Sequence, residues 1–315
     1  MGPEDNDMQL ITDEQVRRAL SVRESSAVVR QAFIATAHGK AVTLPRSRTY
    51  LDHVTLSVMG GIVPTSKMCG VKIYSTIAGK FDFVVTLFDG TDGRYLGTVQ
   101  GNALTEFRTA ATTRVAVESQ MPPSSHTLTI FGAGVQAKAH LASLLDLAVF
   151  RRVFVISKGD AAALVAELSA AHPDVQFLTC DTDKAVSEAD VIVTCTRASE
   201  PLFDGRLLKA NVFVAAIGSS KPQTREIDDV TLERASRIIV EHREQARKEA
   251  GDLLLAKPGI VDWDQVRELG DVVAEADSIG GGVQGITVYK SVGIGLVDVA
   301  LSALVYQRVN TASAS

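Results

Sequence analysis

Apolar and polar positions alternate with a period of two from Ala41 to Val58, which predicts extended chain and sets Arg46, Arg48 and Tyr50 on one face. VKIYST (Val71 to Thr76) and FVVTLFDGTDGRYLGTVQG (Phe83 to Gly101) continue as strands, the second folded into a hairpin about DGTDG. Ahead of them, Thr12-Asp13-Glu14-Gln15 has the spacing of a capping box and opens a helix; Glu24 to His38, apolar at Val28, Val29 and Phe33, is a second. Asn102 to Ser119 is a helix of small residues, and the paired prolines of MPPSS (Met121 to Ser125) then stop helix and sheet alike.

Past those prolines the pattern changes. Short runs with apolar centres (HTLTIF, RRVFVIS, VQFLTC, DVIVTC, NVFVAAIG, RIIVEH) alternate with polar or helical stretches, as strands of a parallel sheet covered on both faces do. ITVYKSVGIGLVDVALSALVYQRV begins as one more strand and ends as an Ala-rich helix that is expected to rejoin the first domain. The fold class read from this pattern is α/β. A first domain over residues 1–120 is completed by the helix 295–315, and a Rossmann dinucleotide-binding domain spans 121–294.

Composition narrows the function classes. The 315 residues carry a net charge of -5 with lysines and arginines scattered, which gives no footprint for a nucleic-acid backbone. No apolar run reaches membrane-spanning length, and the acidic start MGPEDNDMQL has no positive segment followed by an apolar one, so the expectation is a cytoplasmic protein without a secretory signal. Cys69, Cys180 and Cys195 are odd in number and far apart, so they are expected to be plain buried thiols, with neither a disulfide framework nor a metal site.

The stretch IFGAGVQAKAH (Ile130 to His140) carries the chemistry of the second domain. Gly132 permits a sharp turn after a strand, Gly134 lets a pyrophosphate approach the backbone, and Ala137 is small enough for the following helix to pack on the strand. Ala133, Val135 and Gln136 complete the turn, and the helix start offers its free N–H groups to phosphate. VFVIS ends in Ser157 and Lys158, where a protein selective for NAD carries an acid for the ribose 2'-hydroxyl. A cation there, with no carboxylate, favours NADP(H), with NAD(H) the alternative.

Seven motifs in fixed order resemble the ornithine cyclodeaminase and mu-crystallin family: PRSRT (Pro45 to Thr49), VKIYST, GNALTEFRTAA (Gly101 to Ala111), IFGAGVQAKAH, IGSSKPQTREID (Ile217 to Asp228), EAGDLL (Glu249 to Leu254) and TVYKSVG (Thr287 to Gly293). The resemblance implies an N-terminal substrate and dimerisation domain, a homodimer, and NAD(P)-dependent action on small amino or imino acids. By the same resemblance Arg108 grips the substrate carboxylate, and Arg48 is a second carboxylate ligand, although Arg46 on the same strand face is not separated from it. Lys72 matches the family lysine beside the reacting atoms; a lysine inside an apolar strand is costly unless paired or functional. Ser291 joins the substrate set, and Thr109, Cys195, Thr196, Ile217, Gly218 and Gly293 join the cofactor set.

One departure selects the reaction. Cyclodeaminases of this family resemble GGDxPGKTE after the fourth Rossmann strand, and here Ser220 occupies the aspartate's position. Without that base a proton is not readily taken from a substrate amine, so the expectation is a reductase of cyclic ketimine carboxylates such as pyrroline-2-carboxylate or piperideine-2-carboxylate. An ornithine cyclodeaminase, an alanine or opine-like dehydrogenase, and a non-catalytic NADP(H)-dependent binding protein are the alternatives. Among other residues, His140 packs or meets water, Glu226 and Asp228 are both open as site carboxylates with Asp228 equally a cap of the helix beginning DDVTLERA, and HREQARKEAGD (His242 to Asp252) reads as a solvated helix face.

Overall fold

The computed structural model describes residues 9–159, 161–279 and 284–313, so the first eight residues of the acidic start and the last two of the expected C-terminal helix lie outside it. The chain forms two compact units, residues 1–108 with 294–315 and residues 109–293.

The first unit begins with β1 (Leu10–Ile11), α1 (Asp13–Ala19) and α2 (Val22–Ala37). The capping box is formed: Thr12 Oγ1 accepts from the Gln15 N–H, and Gln15 Oε1 accepts from the Thr12 N–H at 2.9 Å. Then come β2 (Val42–Leu51), β3 (Val54–Val63), β4 (Met68–Ile77), β5 (Lys80–Asp89) and β6 (Tyr95–Gln100), followed by helix α3 (Gly101–Gln120). The alternating stretch 41–58 is therefore two strands rather than one, reversed at Asp52, which takes a positive φ of 51°. The sheet order is β1-β6-β5-β4-β3-β2, with β2 to β6 antiparallel and β1 added parallel to β6. The division into units falls inside α3, after Arg108, and not at the prolines.

The second unit takes in the rest of α3 and an all-parallel sheet. Its elements are β7 (Thr127–Phe131), α4 (Val135–Leu145), β8 (Arg152–Ile156), α5 (Ala162–Ala171), β9 (Gln176–Leu178), α6 (Thr182–Glu188), β10 (Val191–Thr194) and β11 (Val212–Ala216). After them come α7 (Asp229–Glu233), β12 (Ala235–Val240), α8 (Arg243–Glu249), α9 (Gly251–Leu254), β13 (Arg267–Glu268), α10 (Leu269–Ile279) and β14 (Ile286–Lys290). The strand order is β13-β12-β14-β11-β10-β7-β8-β9. β7 sits in the interior with β8 and β9 on one side and β10 and β11 on the other, which is the doubly wound arrangement whose ligand crevice opens beyond the carboxyl ends of the central strands. Every residue of β10, β11 and β14 is buried, as a sheet covered on both faces requires.

Helix α11 (Gly295–Ser313) returns the chain to the first unit and lies on one face of its sheet. Register sets that face: Met59, Lys72 and Val85 stand opposite one another on β3, β4 and β5, all buried beneath α11. The opposite face keeps Val42, Leu44, Leu56, Ile62 and Val84 at least 36% exposed. Among the described residues no helix is long and apolar enough to cross a membrane.

Candidate active site

In the first unit the strand period that buries Met59 and Val85 also buries Lys72, which is 1% exposed. Its Nζ donates to Asp298 Oδ1 of α11 at 2.8 Å and to Thr105 Oγ1 of α3 at 2.6 Å, and lies 4.1 Å from the centre of the Phe83 ring. Burial pulls Lys72 down to about 8; Asp298 opposes that fall, and Arg108 and Arg46 add to it. Arg108, one turn after Thr105 on α3, brings Nε to 3.4 Å from the same Asp298 oxygen.

Arg46 and Arg48 stand near this cluster, since an irregularity between Leu44 and Ser47 keeps both on the inner face of β2. Arg46 Nε lies 3.2 Å from Met59 Sδ, and Arg48 pairs in register with buried Ser57. Burial, and then the charge of Arg46, weaken the hold of Arg48 on its proton. Lys72 and Arg108 thus share one buried carboxylate, with Arg46 close enough to Lys72 to weaken its hold on its proton and Arg48 beside Arg46. Asp298 was not foreseen, although an acid alone in the apolar run GLVDVALSALV was a signal for it.

The second unit carries the glycine turn. Gly132 leaves β7 at φ 116° and donates its N–H to Ile156 O at 2.8 Å; a Cβ there would lie 2.8 Å from Cys195 O, so a side chain is barred both by conformation and by space. Gly134 opens α4 with no side-chain cap, and a Cβ built on it meets nothing within 4 Å. The first N–H groups of an 11-residue helix are therefore left facing open space, while Ala137 is fully buried against the sheet. Gln136 Oε1 is buried with no hydrogen-bond partner among the described residues. A cradle open at Gly134 and an uncapped helix start fit a dinucleotide phosphate. Ala133 and Val135 flank the turn, Val135 exposed. At the end of β8 Ser157 and Lys158 are both exposed, with Ser157 Oγ accepting from the Gly159 N–H at 3.2 Å.

Glu226 holds the loops that follow β10 and β11. Its Oε1 accepts from Thr196 N at 2.8 Å and Thr196 Oγ1 at 2.6 Å, and its Oε2 from Gly218 N and Thr194 Oγ1, both at 2.7 Å. These four bonds fix Thr196 and Gly218, with Cys195 and Ile217 beside them. The carboxylate is structural in its contacts rather than presented to a ligand. Burial, and then Glu226, push the Cys195 thiol well up, so it stays protonated. Cys69, Cys180 and Cys195 are all free thiols, as expected, but partly rather than wholly buried by exposure.

Ser291 and Gly293 follow β14. Ser291 Oγ donates to Glu241 Oε1 at 2.5 Å, and the N–H groups of Val292 and Gly293 reach the same carboxylate at 2.9 and 3.2 Å. The proton of Ser291 is thus engaged inside the protein, which leaves the hydroxyl only acceptor capacity toward a ligand. His140 is buried, bonded to Thr113 Oγ1 at 2.9 Å and to Gln136 O at 2.7 Å; Thr109, near it on α3, is buried too. Asp228 caps α7 by accepting from the Thr231 N–H at 2.8 Å.

The stretch His242 to Asp252 corrects the expectation of a solvated face. It forms α8 and the start of α9, with Gln245, Glu249 and Asp252 buried. Gln245 Nε2 donates to Gly293 O at 2.7 Å, and Asp252 Oδ1 accepts from the N–H groups of Glu226 and Ile227 at 2.6 and 3.0 Å. Charged letters in alternation suggested water, whereas they serve neighbouring loops. Among the described residues no group of three or more His, Cys, Asp or Glu side chains could hold a metal ion.

Comparison with known proteins bears on both units. The family model for the ornithine cyclodeaminase/mu-crystallin family matches residues 5–313. Rat ketimine reductase mu-crystallin is 36% identical over 223 residues, 70% of this chain and 68% of that protein. A Delta(1)-pyrroline-2-carboxylate reductase from Bacillus cereus is 30% identical over 300 residues, covering 92% and 90%. The crystal structure of a probable ornithine cyclodeaminase from Bordetella pertussis Tohama I superimposes with a TM-score of 0.91 at 38% identity, over 98% of each chain.

Proposed function

The chain belongs to the ornithine cyclodeaminase/mu-crystallin family, and we propose that it reduces the C=N bond of a small cyclic ketimine carboxylate, of the pyrroline-2-carboxylate or piperideine-2-carboxylate type, to the cyclic amino acid. It is an NAD(P)H-dependent oxidoreductase. The observation that carries the reading is the buried Lys72 with Arg108, Arg46 and Arg48 about it: a proton donor set among carboxylate-binding forks.

Arg108 and Arg48 grip the substrate carboxylate through planar guanidinium groups, which fix its orientation as well as its charge. When bound, the nicotinamide supplies the hydride. Lys72 gives the ring nitrogen its proton. Held near 8, it is mostly charged at neutral pH yet releases its proton more readily than an exposed lysine would, which suits a general acid. Gly132, Gly134 and the start of α4 hold the pyrophosphate, and Thr196 and Gly218, pinned by Glu226, line the cofactor loops. Ser220 offers no carboxylate for deprotonating a substrate amine, which supports reduction over cyclodeamination.

Three finer points belong to the same proposal. Lys158, exposed at the end of β8, favours NADP(H) over NAD(H). The chain pairs as a homodimer through the exposed apolar face of the first unit's sheet, where Val42, Leu44, Leu56, Ile62 and Val84 cluster. Three free cysteines suit a reducing cytoplasm. The deciding assay follows loss of NADPH or NADH absorbance with each cyclic imine, against ornithine plus NAD as contrast. Rapid oxidation with a cyclic imine is expected. No turnover of either imine, with ammonia released from ornithine, overturns the proposal.

A further inference from the structure

An ammonium group has three protons, and the surroundings of Lys72 account for two. Thr105 Oγ1 spends its own proton on Gly101 O at 2.6 Å, so toward Lys72, also at 2.6 Å, it can only accept. Asp298 Oδ1 accepts the second proton at 2.8 Å. The Phe83 ring closes another side without a hydrogen-bond acceptor. Among the described residues no third acceptor hydrogen-bonds to Nζ.

We infer that Asp298 and Thr105 are positioning residues for the reduction proposed above: they fix two N–H groups of Lys72 so that the third alone is aimed at the substrate nitrogen. The step balances. As the hydride from NAD(P)H adds to the imine carbon, the π pair of C=N moves to nitrogen and forms the new N–H bond with that proton. The broken N–H bond leaves its electron pair on Nζ as a lone pair. The neutral amine still donates to Thr105 and Asp298, so its lone pair stays aimed where the proton was, and solvent returns the proton. Neither acceptor has to move during the cycle.

The charges facing Lys72 are Asp298 from α11, Arg108 from α3 and Arg46 from β2, while β3 and β5 present Met59 and Phe83, which carry none. Asp298 strengthens the hold of Lys72 on its proton and both arginines weaken it. A general acid near 8 makes kcat fall as pH rises through that value. Asp298→Asn leaves burial and the arginines unopposed, so the fall moves to lower pH, by about one unit or more. A merely structural aspartate would lower kcat without moving that limb.

Thr105→Val keeps every charge and removes one acceptor. It is expected to lower kcat about tenfold with KM little changed and the limb in place, and Thr105→Ser restores the rate. An unmoved limb in Asp298→Asn, or wild-type kcat in Thr105→Val, overturns the inference; if Asp298→Asn does not fold, the Thr105 pair decides. A readout independent of turnover is the titration of the Lys72 Cε resonance in 13C-lysine-labelled enzyme, assigned by its loss in Lys72→Met. A downward shift in Asp298→Asn supports the inference and an unmoved titration overturns it. Because that titration needs no substrate, wild-type enzyme that reduces no imine defeats the functional proposal separately.

Discussion

Each unit buries a lysine on a strand against an aspartate from a helix, and the two differ in what else surrounds the nitrogen. Lys72 reaches Asp298 at 2.8 Å and Lys290 reaches Asp252 at 2.8 Å, and all four side chains are at most 1% exposed. Lys290 also donates to Ala216 O at 3.2 Å and Ser219 O at 2.6 Å, so two backbone carbonyls and a carboxylate enclose its nitrogen. Lys72 has two acceptors and an aromatic ring. A buried ammonium enclosed by loop carbonyls and a carboxylate ties loops together, whereas one closed on one side only by an aromatic ring can do chemistry. Around Lys290 the tie runs from Asp252 through the backbone of Glu226 to Thr196 and Gly218, so a charged core spans the loops after β10 and β11.

Exchanging each lysine for methionine is the sharpest way to break this comparison, and it carries the largest effects. Lys290→Met leaves Asp252 buried without its counter-charge, at a cost of about 3–5 kcal/mol, and is expected to show as a lowered midpoint in thermal or denaturant unfolding. Lys72→Met leaves Asp298 beside Arg108 and is expected to unfold with a smaller change. Its kcat should drop by on the order of 10²–10⁴, the usual worth of a placed general acid. If Lys72→Met loses stability as Lys290→Met does while keeping turnover, the two lysines have been assigned the wrong way round.

Much of the fold was legible in the chain, because it depends on neighbours in sequence. Period two along β4, the apolar centres of the parallel strands, the Thr12–Gln15 capping box and the turn at Gly132 are all local patterns. What escaped depends on distance along the chain. Lys72 and Asp298 lie 226 positions apart, so an acid in an apolar helix and a lysine in an apolar strand could not be matched before folding. The signal that picked out Lys72 was equally present in ITVYK for Lys290, and only the acceptors around each nitrogen tell them apart. The buried roles of Glu249 and Asp252 were hidden for the same reason, inside a stretch whose mixed charge resembled a solvated surface.

Arg108 tests the chemical side at intermediate size. Arg108→Lys retains the charge and loses the fork, so kcat/KM for the imine should fall about ten- to hundredfold, with KM rising. The change is directional in a second way. Arg108 weakens the hold of Lys72 on its proton, and a more mobile ammonium in its place weakens it less, so the fall in kcat near pH 8 should move slightly to higher pH. An unchanged kcat/KM would remove Arg108 from the carboxylate clamp.

The smallest expected effect concerns a lysine that is neither buried nor ion-paired in an apolar core. Lys158 is exposed at the end of β8, where water screens it, so its contribution to choosing a cofactor rests on a single surface charge near a 2'-phosphate. Lys158→Asp replaces that attraction with repulsion, and the ratio of kcat/KM for NADPH to that for NADH should fall about tenfold. Added salt should lower that ratio in the wild type, by screening attraction to the phosphate, and raise it in Lys158→Asp, by screening repulsion. Stability should hardly change, since no packing is lost at an exposed position. A ratio that does not move would place cofactor choice elsewhere on the β8 loop and leave Lys158 as a solvated lysine, the surface counterpart to the two buried ones.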